Sequence, residues 1–203
     1  MAGGSAIAGS SRARGDEPIL TMIVGFHLGD RGFDHAERMP DVPPPDALEP
    51  QSRWAQRNTD RLSPEMVRRL SGPRPIDIRR IDPDVPDGTG KDSRHGLWMR
   101  AAAPLPASPL LHAAILAFMS DMGLLSSGLR PHGLDWGSPG LQGASLDHAL
   151  WFHEPVAADQ WLLYAMESPW GGHGRSMNQG RFFSRDGRLI ASVAQEGLMR
   201  LRT

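Results

Sequence analysis

The chain has 203 residues, a net charge of −1 and no cysteine. Without cysteine there is no disulfide scaffold, no thiolate zinc site and no thiol nucleophile, and the near-neutral charge argues against the basic excess of a nucleic-acid binder. At 39% hydrophobic residues, with six tryptophans and six phenylalanines, the chain can build a core of ordinary domain size. Residues 1–18 are rich in Gly, Ser, Ala and Arg and read as a disordered tail. They lack the apolar run of a secretory signal, so the expected location is the cytoplasm. Residues 19–28, ILTMIVGFHL, read as one strand. It has no evident partner, and a lone strand cannot satisfy its own backbone. Residues 40–50 hold five prolines and read as an extended linker. A short helix follows within 51–72, with Ser63 as N-cap, Pro64 at the first helical position and Gly72 past its end.

From residue 75 the pattern is strands around one helix. IDIRRI (76–81) alternates as a half-buried strand does. Residues 82–95 read as a polar loop, and 97–103 as a second strand. Residues 110–125 read as one helix, apolar almost all round, which predicts burial on most sides. At 16 residues, with Ser120 and Asp121 inside it, this stretch is too short and too polar to span a membrane. A Gly/Pro-rich loop covers 126–143. Four strands follow at 145–153, 161–168, 175–184 and 189–201, the last two joined by a turn at Arg185-Asp186-Gly187. One buried helix against a mostly antiparallel sheet is an α+β design. A sheet curled around a central helix is the hotdog architecture.

Three polar residues sit where these patterns want apolar ones. Asp121 continues the helical stripe Leu110, Ala114, Ala117, Asp121, Leu124. It is either a functional carboxylate or a residue of an exposed last turn. Gln195 interrupts the apolar face Leu189, Ala191, Val193, Gln195, Gly197, Met199, Leu201. It is either a functional amide or a structural one, and a bulge at Gly197 would turn it outward. Ser145 opens a strand, where a turn residue is ordinary. Asp147 and His148 follow it, but neighbours on a strand face opposite ways, and the chain has no G-x-S-x-G elbow. These residues therefore do not read as a Ser/His/Asp triad. His148 and His153 face opposite sides by the same parity, and no metal site is expected. The glycine-rich run at 171–174 precedes no helix, which makes it a poor phosphate cradle.

The segments SLDHALWFH (145–153), WLLYAMESP (161–169), GRFFSRDGRLIASVAQEGLMR (180–200) and LRPHGLDW (129–136) together resemble the acyl-CoA thioesterase II family, a tandem double hotdog. The resemblance runs from about residue 19 to 200. It implies a catalytic set of Asp121, Ser145 and Gln195, the same three positions that break the pattern. It further implies hydrolysis of acyl-CoA to fatty acid and CoA by an activated water, with no covalent acyl-enzyme, cofactor or metal. By this resemblance Asp147 and His148 are motif residues. Residues 19–39 correspond to the last strand of the N-terminal hotdog, 40–74 to the linker and 75–203 to the C-terminal hotdog, with most of the N-terminal one absent. A homo-oligomer joined through sheet edges is expected. The alternative is a truncated, inactive hotdog that binds acyl-CoA or a partner subunit. A dehydratase is a weaker reading, since His112 is the only histidine on the helix. Arg175, Arg181, Arg185 and Arg188 are candidate contacts for CoA phosphates.

Overall fold

A computed structural model describes residues 5–14, 17–60, 62–81 and 92–202. It divides into two compact units, Met1–His35 and Ala36–Thr203. The first contains a hairpin of β1 (Ser5–Arg14) and β2 (Glu17–His27), paired antiparallel from Ser5↔His27 inward. This corrects the reading of 19–28 as a lone strand and, over Ser5–Arg14, of a disordered tail; residues 1–4 and 15–16 of that tail lie outside the described residues. Strand β2 takes its hydrogen-bond partner from the segment just before it. That segment, SAIAGSSRAR, has no apolar alternation and so gives no strand signal of its own.

In the second unit, α1 (Gln51–Arg57) and α2 (Pro64–Ser71) follow the proline-rich stretch. The sequence signals for α2 hold: Ser63 Oγ accepts from Met66 N at 3.1 Å, Pro64 is the first helical residue, and Gly72 ends the helix. Strands β3 (Ile76–Arg80) and β4 (His95–Ala101) come next. Most of the expected loop between them, 82–91, lies outside the described residues. Helix α3 (Pro109–Ser120) leads through a turn into the short α4 (Ser126–Leu129). The remaining strands are β5 (Leu141–Ser145), β6 (Ala149–Phe152), β7 (Leu162–Gly172), β8 (Arg175–Ser184) and β9 (Leu189–Leu201).

These strands form one antiparallel sheet in the order β3-β4-β7-β8-β9-β5, with β6 also paired to β9. Within the expected strand over 145–153, only Ser145 and Ala149–Phe152 are strand, separated by Leu146, Asp147 and His148; β5 begins at Leu141, inside the expected loop over 126–143, and runs end to end with β6 along β9. Helix α3 also ends earlier than expected. Asp121 is its C-cap, and Gly123 at φ +86° takes the left-handed conformation that stops it.

The α3 side of the sheet carries the main core. Leu116 and Met119 of α3 pack with Leu97, Met99, Tyr164, Phe182 and Val193. Tyr164 and Phe182 stack with ring centres 4.0 Å apart. The helix is less enclosed than its composition predicts: Leu110 is 81% and Phe118 55% exposed. A second cluster of Trp98, Trp161, Leu163 and Phe183 is covered by Met39, Val42 and Leu48. The proline-rich stretch thus lies across the sheet as a strap, and Trp98 Nε1 donates to Pro43 O at 2.9 Å. Among the described residues, no helix is long and apolar enough to cross a membrane.

Candidate active site

Three elements bring the predicted residues together. Helix α3 delivers Asp121 just past its last turn. Strand β5 ends on Ser145, paired opposite Gly197. Strand β9 places Gln195 two residues from Gly197 on its inner face, where it is 1% exposed. No register shift occurs at Gly197 in either pairing of β9 there, so the alternation carries Gln195 inward. A Cβ on Gly197 would lie 2.4 Å from Leu125 Cδ2, so any side chain there would displace Leu125.

Gln195 is the hub. Its Nε2 donates to Asp121 Oδ1 at 2.8 Å and to Ser145 Oγ at 2.9 Å. An ionised carboxylate only accepts, so the amide nitrogen must face Asp121. Both amide hydrogens are then committed. Gln195 Oε1 is buried without a protein donor among the described residues, and Ser145 keeps its hydroxyl proton to give. The arrangement holds a carboxylate, a hydroxyl and an amide in one cluster, fixed to three separate elements.

Asn178 lies behind this hub, is fully buried, and was missed by sequence reasoning. It pairs across strands with Gln195. Its Nδ2 donates to Gln195 O at 3.2 Å and to Ser176 Oγ at 3.1 Å. The signal was present: Ser176, Asn178, Gly180 and Phe182 share the inward face of β8, and two of the four are polar. Gly128 of α4 covers them closely, since a Cβ there would lie 2.5 Å from Ser176 Oγ.

On the other side of Asp121, the preceding Ser120 is wholly buried. Tyr164 Oη donates to its carbonyl at 2.6 Å, and His148 Nε2 meets its hydroxyl at 2.7 Å. Burial first, and the Asp121 carboxylate second, push the Tyr164 pKa well above that of a free phenol. Burial also lowers the His148 pKa, opposed by the carboxylates of Asp121 and Asp147.

The four candidate arginines are otherwise engaged. Arg181 pairs with Glu37 at 2.6 Å and Glu167 at 2.9 Å, Arg185 with Asp46, Arg188 with Asp186 at 3.0 Å, and Arg175 with Glu196 at 2.9 Å. His112 accepts from Ala158 N at 3.0 Å through Nδ1, so its ring braces a loop. A cavity of about 240 Å³ opens between α4 and the far ends of β5 and β9, with Leu129, Leu134, Leu141 and Met199 in its wall. Leu141 and Met199 are each four residues along their strands from Ser145 and Gln195, about 13 Å at the strand rise.

An antiparallel sheet folded about one long helix, with polar residues gathered where helix end and sheet meet, is a hotdog domain. A crystal structure of a hotdog protein from Alicyclobacillus acidocaldarius superposes with a TM-score of 0.71 over 98% of this chain and 69% of that one, at 20% identity. The acyl-CoA thioesterase II TesB2 of Mycobacterium marinum matches with a TM-score of 0.76 and 32% identity, over 98% of this chain and 70% of that one. The family model of the acyl-CoA thioesterase C-terminal domain matches residues 36–199. The chain belongs to this family. Among curated relatives, it is similar to acyl-CoA thioesterase 2 of Haemophilus influenzae, at 30% identity over 90% of this chain and 64% of that one. It is similar also to human acyl-coenzyme A thioesterase 8, at 32% identity over 92% of this chain and 60% of that one. The chain therefore spans less than two thirds of the length of these relatives.

Proposed function

We propose that this chain hydrolyses fatty acyl-CoA to free fatty acid and CoA in the cytoplasm, using Asp121, Ser145 and Gln195 as its catalytic residues. The observation that carries this reading is the double donation of Gln195 Nε2 to Asp121 and Ser145. It joins a general base and a hydroxyl through one rigid amide, which is what positioning a single water requires. Asp121 takes a proton from that water as its oxygen adds to the thioester carbonyl, while Ser145 and Gln195 hold its direction of approach. The C–S bond then breaks, and the CoA thiolate leaves and is protonated. The apolar-walled cavity along the same strands suits an acyl chain. A homo-oligomer joined through sheet edges accords with this reading, and light scattering tests that part separately.

The test is thiol release from short-, medium- and long-chain acyl-CoAs, with Asp121→Asn beside wild type. The Asn carbonyl can still accept from Gln195 Nε2, so the cluster keeps its geometry but loses its base. Turnover should fall on the order of 10²–10⁴-fold. A soluble, folded wild type with no turnover on any chain length overturns the reading in favour of a binding role. An active Asp121→Asn overturns the assignment of the base.

A further inference from the structure

The break between β5 and β6 does more than end a strand. Between the pairs Ser145↔Gly197 and Ala149↔Ala194, the edge strand advances four residues while β9 advances three. One extra residue is inserted at Leu146-Asp147-His148. An insertion of this kind re-aims the side chains that carry it. Both polar ones are aimed at neighbours of the site. Asp147 Oδ1 accepts from the backbone N of Glu196 at 2.7 Å, the residue beside Gln195. His148 Nε2 meets Ser120 Oγ at 2.7 Å, the residue beside Asp121. A hydroxyl has one proton, and Ser120 gives it to Ala117 O at 2.8 Å. His148 Nε2 is therefore the donor in this bond.

We propose that this insertion is a clamp and that His148 is a positioning residue: by donating to Ser120 it fixes the helix end that presents Asp121 to Gln195, while Asp147 fixes the adjacent strand. Ser145 precedes the insertion directly, so one short segment ties all three site residues to one another. Among the described residues, Ser120 Oγ is bonded to Ala117 O within its own helix and to His148 Nε2. His148 is only partly withdrawn from solvent, and its ring belongs to neither hydrophobic cluster. Its contribution is geometric, and a small displacement of Asp121 is expensive because the attacking water must be aimed. This inference rests on the hydrolytic reading above.

The experiment compares His148→Ala, His148→Gln, Ser120→Ala and the double variant His148→Ala/Ser120→Ala. His148→Ala should lower kcat on the order of 10- to 100-fold, with KM within about twofold of wild type. His148→Gln, whose amide N–H can reach Ser120, should restore most of that loss. The double variant should be no worse than either single one, because both remove the same bond. Loss of thermal stability with kcat unchanged would overturn the proposal and leave His148 a merely structural residue. So would additive losses in the double variant. Asp121→Asn distinguishes the two readings: if it abolishes turnover while His148→Ala does not affect it, hydrolysis stands and the clamp fails. If wild type shows no turnover, nitrogen-15 NMR of the histidine rings still decides the clamp. It must show neutral His148 protonated on Nε2, and the Asp121 amide must shift in His148→Ala. A proton on Nδ1 or an unmoved Asp121 amide would refute it.

Discussion

His95 lies outside the cluster of Asp121, Ser145 and Gln195, and it is expected to govern how the fold responds to acid. His95 opens β4, opposite Met166 on β7. Burial, then the positive charge of Arg130, push its pKa down from the ordinary 6.5 to about 4. Nδ1 lies 3.4 Å from both Ser93 O and Ser127 Oγ, and the backbone bonds to Ser93 and Gly123, which favour the charged ring, do not offset its burial. The folded protein thus holds His95 neutral where the unfolded chain would protonate it. The unfolded state binds the extra proton, so stability rises with pH between about 4 and 6.5 and is complete above 6.5. The gap between about 4 and 6.5, at about 1.4 kcal/mol per pH unit, amounts to about 3 kcal/mol. That corresponds to a melting temperature lower by about 6–12 °C for a domain of this size. Burial lowers the pKa of His148 as well, so the comparison is with His95→Gln. Urea unfolding from pH 7.5 to 4.5 should give a much shallower loss for the variant than for wild type. Parallel curves for the two proteins would refute the assignment of the acid sensitivity to His95.

Other consequences are sharper at the site and in the core. Ser145→Thr keeps a hydroxyl and should lose little turnover, whereas Gln195→Ala removes the hub and should lose far more; steady-state thiol release separates them. Gly180→Ala would place a Cβ 2.3 Å from Tyr164 Cε2, against a ring stacked on Phe182 and bonded to Ser120. Overpacking of this kind costs about 1–3 kcal/mol, read as a lower urea midpoint. Trp98→Phe removes the donor to Pro43 O and should cost about 1–3 kcal/mol, with proteolysis quickening first in the proline-rich strap.

Much of the architecture could be read from local chemistry. The alternation in 76–80, 175–184 and 189–201 places strands where they occur because each presents one face to a core and one to water. The failures have physical reasons. Strand β1 is built from small and polar residues, and its order comes from pairing with β2 rather than from any side it buries. The apolar run beyond Ser120 misled because Leu124 and Leu125 are indeed buried, but from a turn rather than a helix. Periodicity registers the burial and not the left-handed Gly123 that changes the chain direction. A one-residue insertion between β5 and β6 leaves the apolar count unchanged, so 145–153 reads as one strand.

The site divides along the same line. Gln195 was visible because it is a buried polar residue on an apolar face, and such a position is costly unless it is used. Asp121 was singled out on the stripe Leu110, Ala114, Ala117, but the structure leaves that stripe and Asp121 exposed, in line with the reading of an exposed last turn, and what marks Asp121 is its bond to Gln195. Asn178 carries the same mark as Gln195. Ser120 and His148 carry none: a serine at a helix end and a histidine after an aspartate are ordinary, and only the meeting of residues 28 apart in sequence gives them meaning. Local pattern thus finds buried polar groups such as Gln195, which stand where folding demands apolar ones. It does not find the groups that aim them. Those are selected by distance in space, and the bulge that creates their geometry is visible only once two strands are paired. For this fold, the residues that tune turnover are expected to concentrate at such irregularities of the sheet edge, as His148 does.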